Sequence, residues 1–325
     1  MDTQTNRRGH REHVWYREHL KLNELKKRVE SEKIENNYLS KENIPPYPRP
    51  EFHVTHLKHD TDGEGLRGIR ESNGFCDPDP KGSLGLLWWS LMVRPEDIQS
   101  AERRLLDQIY PDRKEEQTQK QQSFLGKFST SPAFLDSSML GSNRFSFPLK
   151  ELLTAYSQQF CSGAQPVMRV FKTVLYKKEV MYAVLVHRPA NQERFSGYPL
   201  LPDDPNAVCA YRDGRFIWRP EAMCDTHSYE FVRNDEAKQV EVNELSREIY
   251  YVWDNVAIAL HVEEGQVLKF STEQLRKNLT FCEKGWPIIT PPDSFDKFKD
   301  AEALVKELWP GYPSALEHSV NIQAP

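Results

Sequence analysis

The chain has 325 residues, with 43 Lys and Arg against 48 Asp and Glu, giving a formal charge of −5. That balance argues against a protein built around a sequence-independent nucleic-acid stripe, which needs many uncompensated Lys and Arg side chains. At roughly 150 residues per domain the length suits two domains, or one large domain with appendages. A 38% hydrophobic content supplies a core, while 22 prolines and a mean hydropathy of −0.70 assign much of the length to polar connections. The five cysteines are scattered without CxxC spacing, which predicts reduced thiols in a cytoplasmic or nuclear setting. The first residues lack the apolar run of a secretory signal, and no stretch approaches the roughly 18 apolar residues of a membrane span. No membrane partner is expected.

In chain order, residues 10–37 are dense in Glu, Lys and Arg, with Leu22, Leu25 and Val29 at helical spacing. The spacing predicts a charged lead-in helix that docks on the body. Pro45, Pro46, Pro48 and Pro50 then impose an extended linker by fixing φ and restricting each preceding residue. Residues 1–50 are therefore read as a charged helix with a proline-rich linker, and 51–325 as the body. Within the body, β-branched and aromatic runs predict strands at 52–57, 84–93, 167–176, 180–186, 215–218, 249–253 and 256–262. Helical periodicity predicts helices at 63–72, 94–109, 148–159, 272–279 and 294–308, the last one amphipathic. Residues 141–148 read as a strand leading into a helix. The stretch 188–214 holds four prolines and reads as a long surface insertion. Strands in unequal groups without βαβ alternation favour an α+β fold.

The most informative segment begins Phe52-His53-Val54-Thr55 and continues into Glu64-Gly65-Leu66-Arg67-Gly68-Ile69, closing on Asn73-Gly74-Phe75. Leu66 and Ile69 fall on one helix face, and Asn73-Gly74 suits a left-handed C-terminal cap. An aromatic-His-x-Thr strand, a Leu-x-x-Ile helix and a closing Gly-Phe resemble the opening of the ADP-ribosyltransferase fold, on its poly(ADP-ribose) polymerase and DarT-like side. The resemblance implies an ADP-ribosyltransferase-like split mixed β-sheet body that uses NAD as substrate, with His53 and Thr55 holding the nicotinamide ribose. It places Trp88, in Leu86-Leu87-Trp88-Trp89-Ser90, where the family's stacking tyrosine stands, with Ser90 also at the cofactor. It requires a strand glutamate to steady the positive charge that develops as nicotinamide leaves. Glu248, in Glu248-Ile249-Tyr250-Tyr251, and Glu179, before Val180-Met181-Tyr182, both fit that role, Glu248 ranking first.

The implied activity is mono-ADP-ribosylation of an acceptor, a protein in preference to a nucleic acid. The alternative is an inactive module of the same fold that binds a protein partner or a nucleotide; Trp in place of Tyr and two candidate glutamates favour it. A 2′-phosphotransferase relative would need an Arg-rich phosphate site near His53, which the sequence does not show. Ser129-Thr130-Ser131 reads as a turn or loop beside the pocket, and Arg144 as a surface residue by default. His53, His56 and His59 recur every third residue but a strand splits them between its faces, and Cys209, Cys224, His227 and Cys282 offer a zinc set with only one close pair, so no metal is expected. No phosphate-cradling glycine motif occurs.

Overall fold

The computed structural model describes all residues except 7–8, 78–83, 132, 135–136, 286–294 and 313–325. The elements are β1 (Asp2–Thr5), β2 (Arg11–Tyr16), α1 (Leu22–Ser31), β3 (Phe52–Val54), β4 (His56–Thr61), α2 (Gly63–Ser72), β5 (Gly74–Phe75) and β6 (Leu86–Met92). There follow α3 (Pro95–Ile109), α4 (Glu115–Lys120), α5 (Leu125–Phe128), β7 (Asn143–Pro148), α6 (Leu149–Phe160), β8 (Val167–Tyr176) and β9 (Glu179–His187). The remainder are β10 (Cys209–Arg212), β11 (Arg215–Trp218), β12 (Thr226–Asn234), β13 (Gln239–Tyr250), β14 (Trp253–His261), β15 (Leu268–Lys269), α7 (Thr272–Lys277), β16 (Leu279–Phe281) and α8 (Phe298–Leu308). The fold is α+β.

A nine-stranded mixed sheet in the order β1-β2-β8-β9-β14-β6-β4-β7-β16 carries the structure, and within it β9 and β14 run parallel. A three-stranded sheet β10-β11-β3 and a separate hairpin β12-β13 stand beside it. Strand alternation separates two clusters. On the inner face Leu87, Trp89, Leu91, Tyr182, Val184, Val256, Ile258 and Leu260 join the main core, together with Leu25 of α1 and Leu152 of α6. On the outer face Leu86, Phe171, Ala183, Leu185 and Ala259 form a second cluster with Phe195.

Local chemistry explains the elements the periodicity predicted. The Asp62 carboxylate accepts from Gly65 N at 2.8 Å, which starts α2, and Asn73 ends it with φ 50°, while Leu66 and Ile69 are buried. The amphipathic C-terminal helix is present as α8, with Ala301 and Val305 buried; Ser294, its expected start, lies outside the described residues.

Three expectations are corrected. Residues 10–37 are not one helix, because His13, Val14, Trp15 and Tyr16 pair with β8, and only Leu22–Ser31 coils. Strands β1 and β2 thus belong to the main sheet, while Leu22–Ser31 packs on it as a helix. The stretch 188–214 is not merely a surface excursion: Phe195, Val208 and Ala210 are buried, and Cys209–Arg212 is a strand of the small sheet. Ile249 and Tyr250 end a twelve-residue hairpin strand, and β14 starts at Trp253.

Strand β8 carries a bulge: Val170 faces Val184 and Lys172 faces Ala183, leaving Phe171 as an extra residue. The neighbouring chain seals the irregularity. Arg17 N donates to Phe171 O at 2.7 Å, and His19 Nε2 lies 2.8 Å from Ala183 O. Burial holds the His19 ring down to about 4, so the ring is neutral and donates its Nε2–H. A folded value below the unfolded 6.5 stabilises the protein fully above pH 6.5, and this contribution is lost as pH falls towards 4. The shift corresponds to about 3 kcal/mol. Chemical denaturation at pH 7 and at pH 4.5 is expected to show a drop for the wild type that is clearly smaller in His19→Gln.

Candidate ligand-binding face

Register builds a row of side chains straight across the sheet. Lys58 faces Ser90, Ser90 faces Ala257, Ala257 faces Ala183, Ala183 faces Lys172, and Lys172 faces Tyr16. Paired residues on neighbouring strands project to the same side, so all six lie on the outer face. The middle of the row is small and covered, Ala257 at 6% and Ala183 at 0% exposure, so neighbouring side chains close over it between the two lysines. Their backbones are four strand spacings apart, roughly 19 Å. Both lysines are largely buried, Lys58 at 8% and Lys172 at 9% exposure.

Trp88, two residues before Ser90, belongs to the same face and opposes Ala259. Its ring stacks on Phe171 with centroids 6.2 Å apart. Lys172 reaches across from β8 until its Nζ lies 5.5 Å from the Trp88 ring, 5.4 Å from Phe171 and 5.8 Å from Tyr16. The bulge makes this possible by turning Phe171 and Lys172 to one side, and the alanines give the lysine stem room. Burial lowers the Lys172 ammonium, and Glu12 acts the other way. An ammonium held by ring faces keeps its attraction for an anion. Tyr198 closes one end of the cluster, with its ring 5.4 Å from Phe171 and the Arg17 guanidinium 5.7 Å above it.

The residues assigned by resemblance do not assemble. His53 lies on β3 in the small sheet, its Nε2 2.7 Å from Glu51 Oε1. Partial burial pushes the Glu51 carboxyl up, but His53 and Arg219 hold it below the usual range, as expected of a structural ion network. Thr55 Oγ1 lies 3.1 Å from His56 Nδ1 and 3.4 Å from Arg94 Nη2. It stands about five residues, roughly 16 Å, from Trp88 along the strand direction. Glu179 faces Trp253, whereas Trp88 faces Ala259 six residues further along β14, roughly 20 Å away. Glu248 is exposed on β13. Between the pairs His227–Ile249 and Tyr229–Glu244, β12 holds only Ser228 while β13 holds residues 245–248, so Glu248 bulges outward. Of the predicted set, only Trp88 and Ser90 share a surface, and no glutamate accompanies them there. The donor set for NAD in the family's manner does not fit.

A second His-x-Thr, His59-Asp60-Thr61, abuts the cap of α2 and escaped the sequence reading although its spacing is identical. The His59 ring packs between Phe75 and Trp89 at 5.2 and 5.3 Å, with Nδ1 2.8 Å from Trp88 O, half-buried against the core. Arg144 is not at the surface. It is 1% exposed and grips Asp60 through Nε and Nη2 at 2.7 and 2.8 Å. Burial alone would raise the Asp60 carboxyl; Arg144 overrides that and keeps it below its usual range. Ser129 and Ser131 are buried, and Ser131 N donates to Met223 O at 3.1 Å. The zinc set does not form: Tyr47 Oη donates to Cys224 Sγ at 2.8 Å, and among the described residues no group of three metal-binding side chains converges.

Breaking the buried pair leaves an uncompensated charge. Asp60→Asn and Arg144→Met are each expected to cost about 3–5 kcal/mol in urea unfolding, whereas Glu248→Gln, on the exposed bulge, stays within about 0.5 kcal/mol of wild type.

Comparison of the chain with protein-family models, with curated proteins and with solved structures gives no match.

Proposed function

We propose that the chain is a nucleotide-binding module that performs no chemistry on its ligand. The observation that carries this reading is the Lys172 ammonium lying across the rings of Trp88, Phe171 and Tyr16 on the outer face. A flat base gains from stacking on an aromatic face, and a phosphate gains from a cation that is already desolvated. The half-buried Trp88 and Ser90 leave such a ligand a way in. The enzymatic alternative, transfer of ADP-ribose from NAD to a protein, needs a carboxylate beside the stacked ring. Neither Glu248 nor Glu179 supplies one, so the reading is an ADP-ribosyltransferase-like module at most, without turnover.

Thermal-shift titration with AMP, ADP-ribose, ATP and NAD tests this. At a ligand concentration a hundredfold above Kd, stabilisation of about 2.7 kcal/mol is expected, a rise of several degrees in Tm. Trp88→Ala and Lys172→Met should each weaken binding at least tenfold without unfolding the protein. Stabilisation by none of these nucleotides at millimolar concentration overturns the proposal. Incubation with labelled NAD is expected to release no nicotinamide and to label neither the chain nor an added protein. Turnover abolished by Glu248→Gln or Glu179→Gln would restore the transferase.

A further inference from the structure

Residues 188–201 leave the end of β9, cross the outer face and return along β8, where Val170 N donates to Pro199 O and Leu201 N to Met168 O, both at 2.9 Å. Phe195 is the anchor of this strap, packed between the rings of His187 and His261 at 4.9 and 5.0 Å. Both histidines are almost wholly buried at the ends of adjacent parallel strands, and each is confronted by arginine. His187 donates from Nδ1 to Arg188 O at 2.8 Å, which leaves Nε2 to accept from Arg169 Nε at 2.9 Å. The same guanidinium donates through Nη1 to Tyr198 O at 2.6 Å, so the strap hangs from His187 by way of Arg169. At His261, Nε2 faces Arg194 Nη1 at 3.1 Å and Nδ1 faces the Asn191 amide at 3.2 Å, both from the strap.

We propose that His187 and His261 form a proton-operated latch that holds the strap over the aromatic end of the outer face. A neutral imidazole accepts at one nitrogen; an imidazolium accepts at neither. Proton uptake would therefore cancel the bond from Arg169 to His187 and the bond from Arg194 to His261, and set cation against cation in both places. The groups facing the pair give little relief. Arg188 binds the Glu263 carboxylate at 2.6 Å; Asn191 contacts it at 3.3 Å and Arg194 at 4.0 Å. From α6, Tyr156 Oη donates to the His261 carbonyl at 2.6 Å and supplies no charge. Burial comes first in lowering both rings, and the arginines add to it; His261 is held to about 4. The latch is closed at neutral pH and opens on acidification, freeing Phe195 and lifting Tyr198 off Phe171. The backbone bonds at Pro199 and Leu201 do not titrate and serve as the hinge. The inference is independent of what the outer face binds.

Hydrogen exchange read by mass spectrometry at pH 7.5 and pH 4.5, corrected for intrinsic rates, tests it on the unliganded chain. Amides of residues 190–198 are expected to exchange at least tenfold faster at pH 4.5, while those of 180–186 and 256–260 stay protected. In the double variant His187→Gln, His261→Gln, whose amide oxygens accept from arginine at any pH, the acid-induced gain should vanish. Unchanged protection of 190–198 in the wild type at pH 4.5 overturns the latch. A rise that parallels the strands overturns it too, since it reports global unfolding, and this wild-type comparison decides the matter even if the double variant does not fold.

Discussion

Strand β14 sits fifth of nine and is buried on both faces, and the parity of its residues decides what each face can do. Val256, Ile258 and Leu260 belong to the main core, whereas Ala257 and Ala259 floor the outer face. A slip of one residue would exchange the sets, placing branched chains on the outer face and alanines in the core. Parallel pairing with β9 and antiparallel pairing with β6 lock that parity from both sides. The positions of Trp88, Ser90 and Lys172 relative to one another follow from it, as does the meeting of His187 and His261 at one sheet end.

What was legible in the sequence was local. The helix Gly63–Ser72 and the strands Val167–Tyr176 and Arg215–Trp218 appear at the predicted positions because caps, turns and β-branched runs encode them within a few residues. The strand Arg11–Tyr16 was obscured by its charged neighbours, and its partner, β8, lies some 160 positions away in a different part of the chain. The hairpin β12-β13 was missed although Tyr229 and Phe231, like Val240 and Val242, alternate with polar neighbours, because those short apolar pairs are set among charged and polar residues along the rest of both strands. The site was less legible still. That Lys172 touches Trp88 depends on a three-strand separation, on alanines between them and on a bulge, none of which leaves a short motif. A motif was visible at His53 and Thr55, but strand residues of that kind serve ion networks and loops as readily as ligands, and here Glu51, His56 and Arg94 occupy them.

The polar groups inside this protein divide by how they are satisfied. Asp60 and Arg144 neutralise each other through two-point contact, the strongest geometry for such a pair. His19 stays neutral and spends its one donor on a carbonyl beside the bulge. Asp254 takes another route: burial pushes its carboxyl well above the usual range, while Oδ2 accepts from Glu221 N at 2.8 Å. Burial disfavours the charged form of a carboxyl that no cation faces. Lys172 belongs to none of these classes: its ammonium lies against three rings, and Glu12 acts on it through charge without a recorded ion pair.

The order of the nine strands also settles how the sheet meets its own copies. Its two borders are Asp2–Thr5, four polar residues, and Leu279–Phe281, only three residues long. Short and hydrophilic borders offer a passing strand little to pair with, and so discourage edge-to-edge aggregation. Strands such as β8 and β9, apolar along most of their length, are kept away from either border. The modest β1-β2 ribbon thus does more than extend the sheet: it covers the flank of β8 with a short polar border.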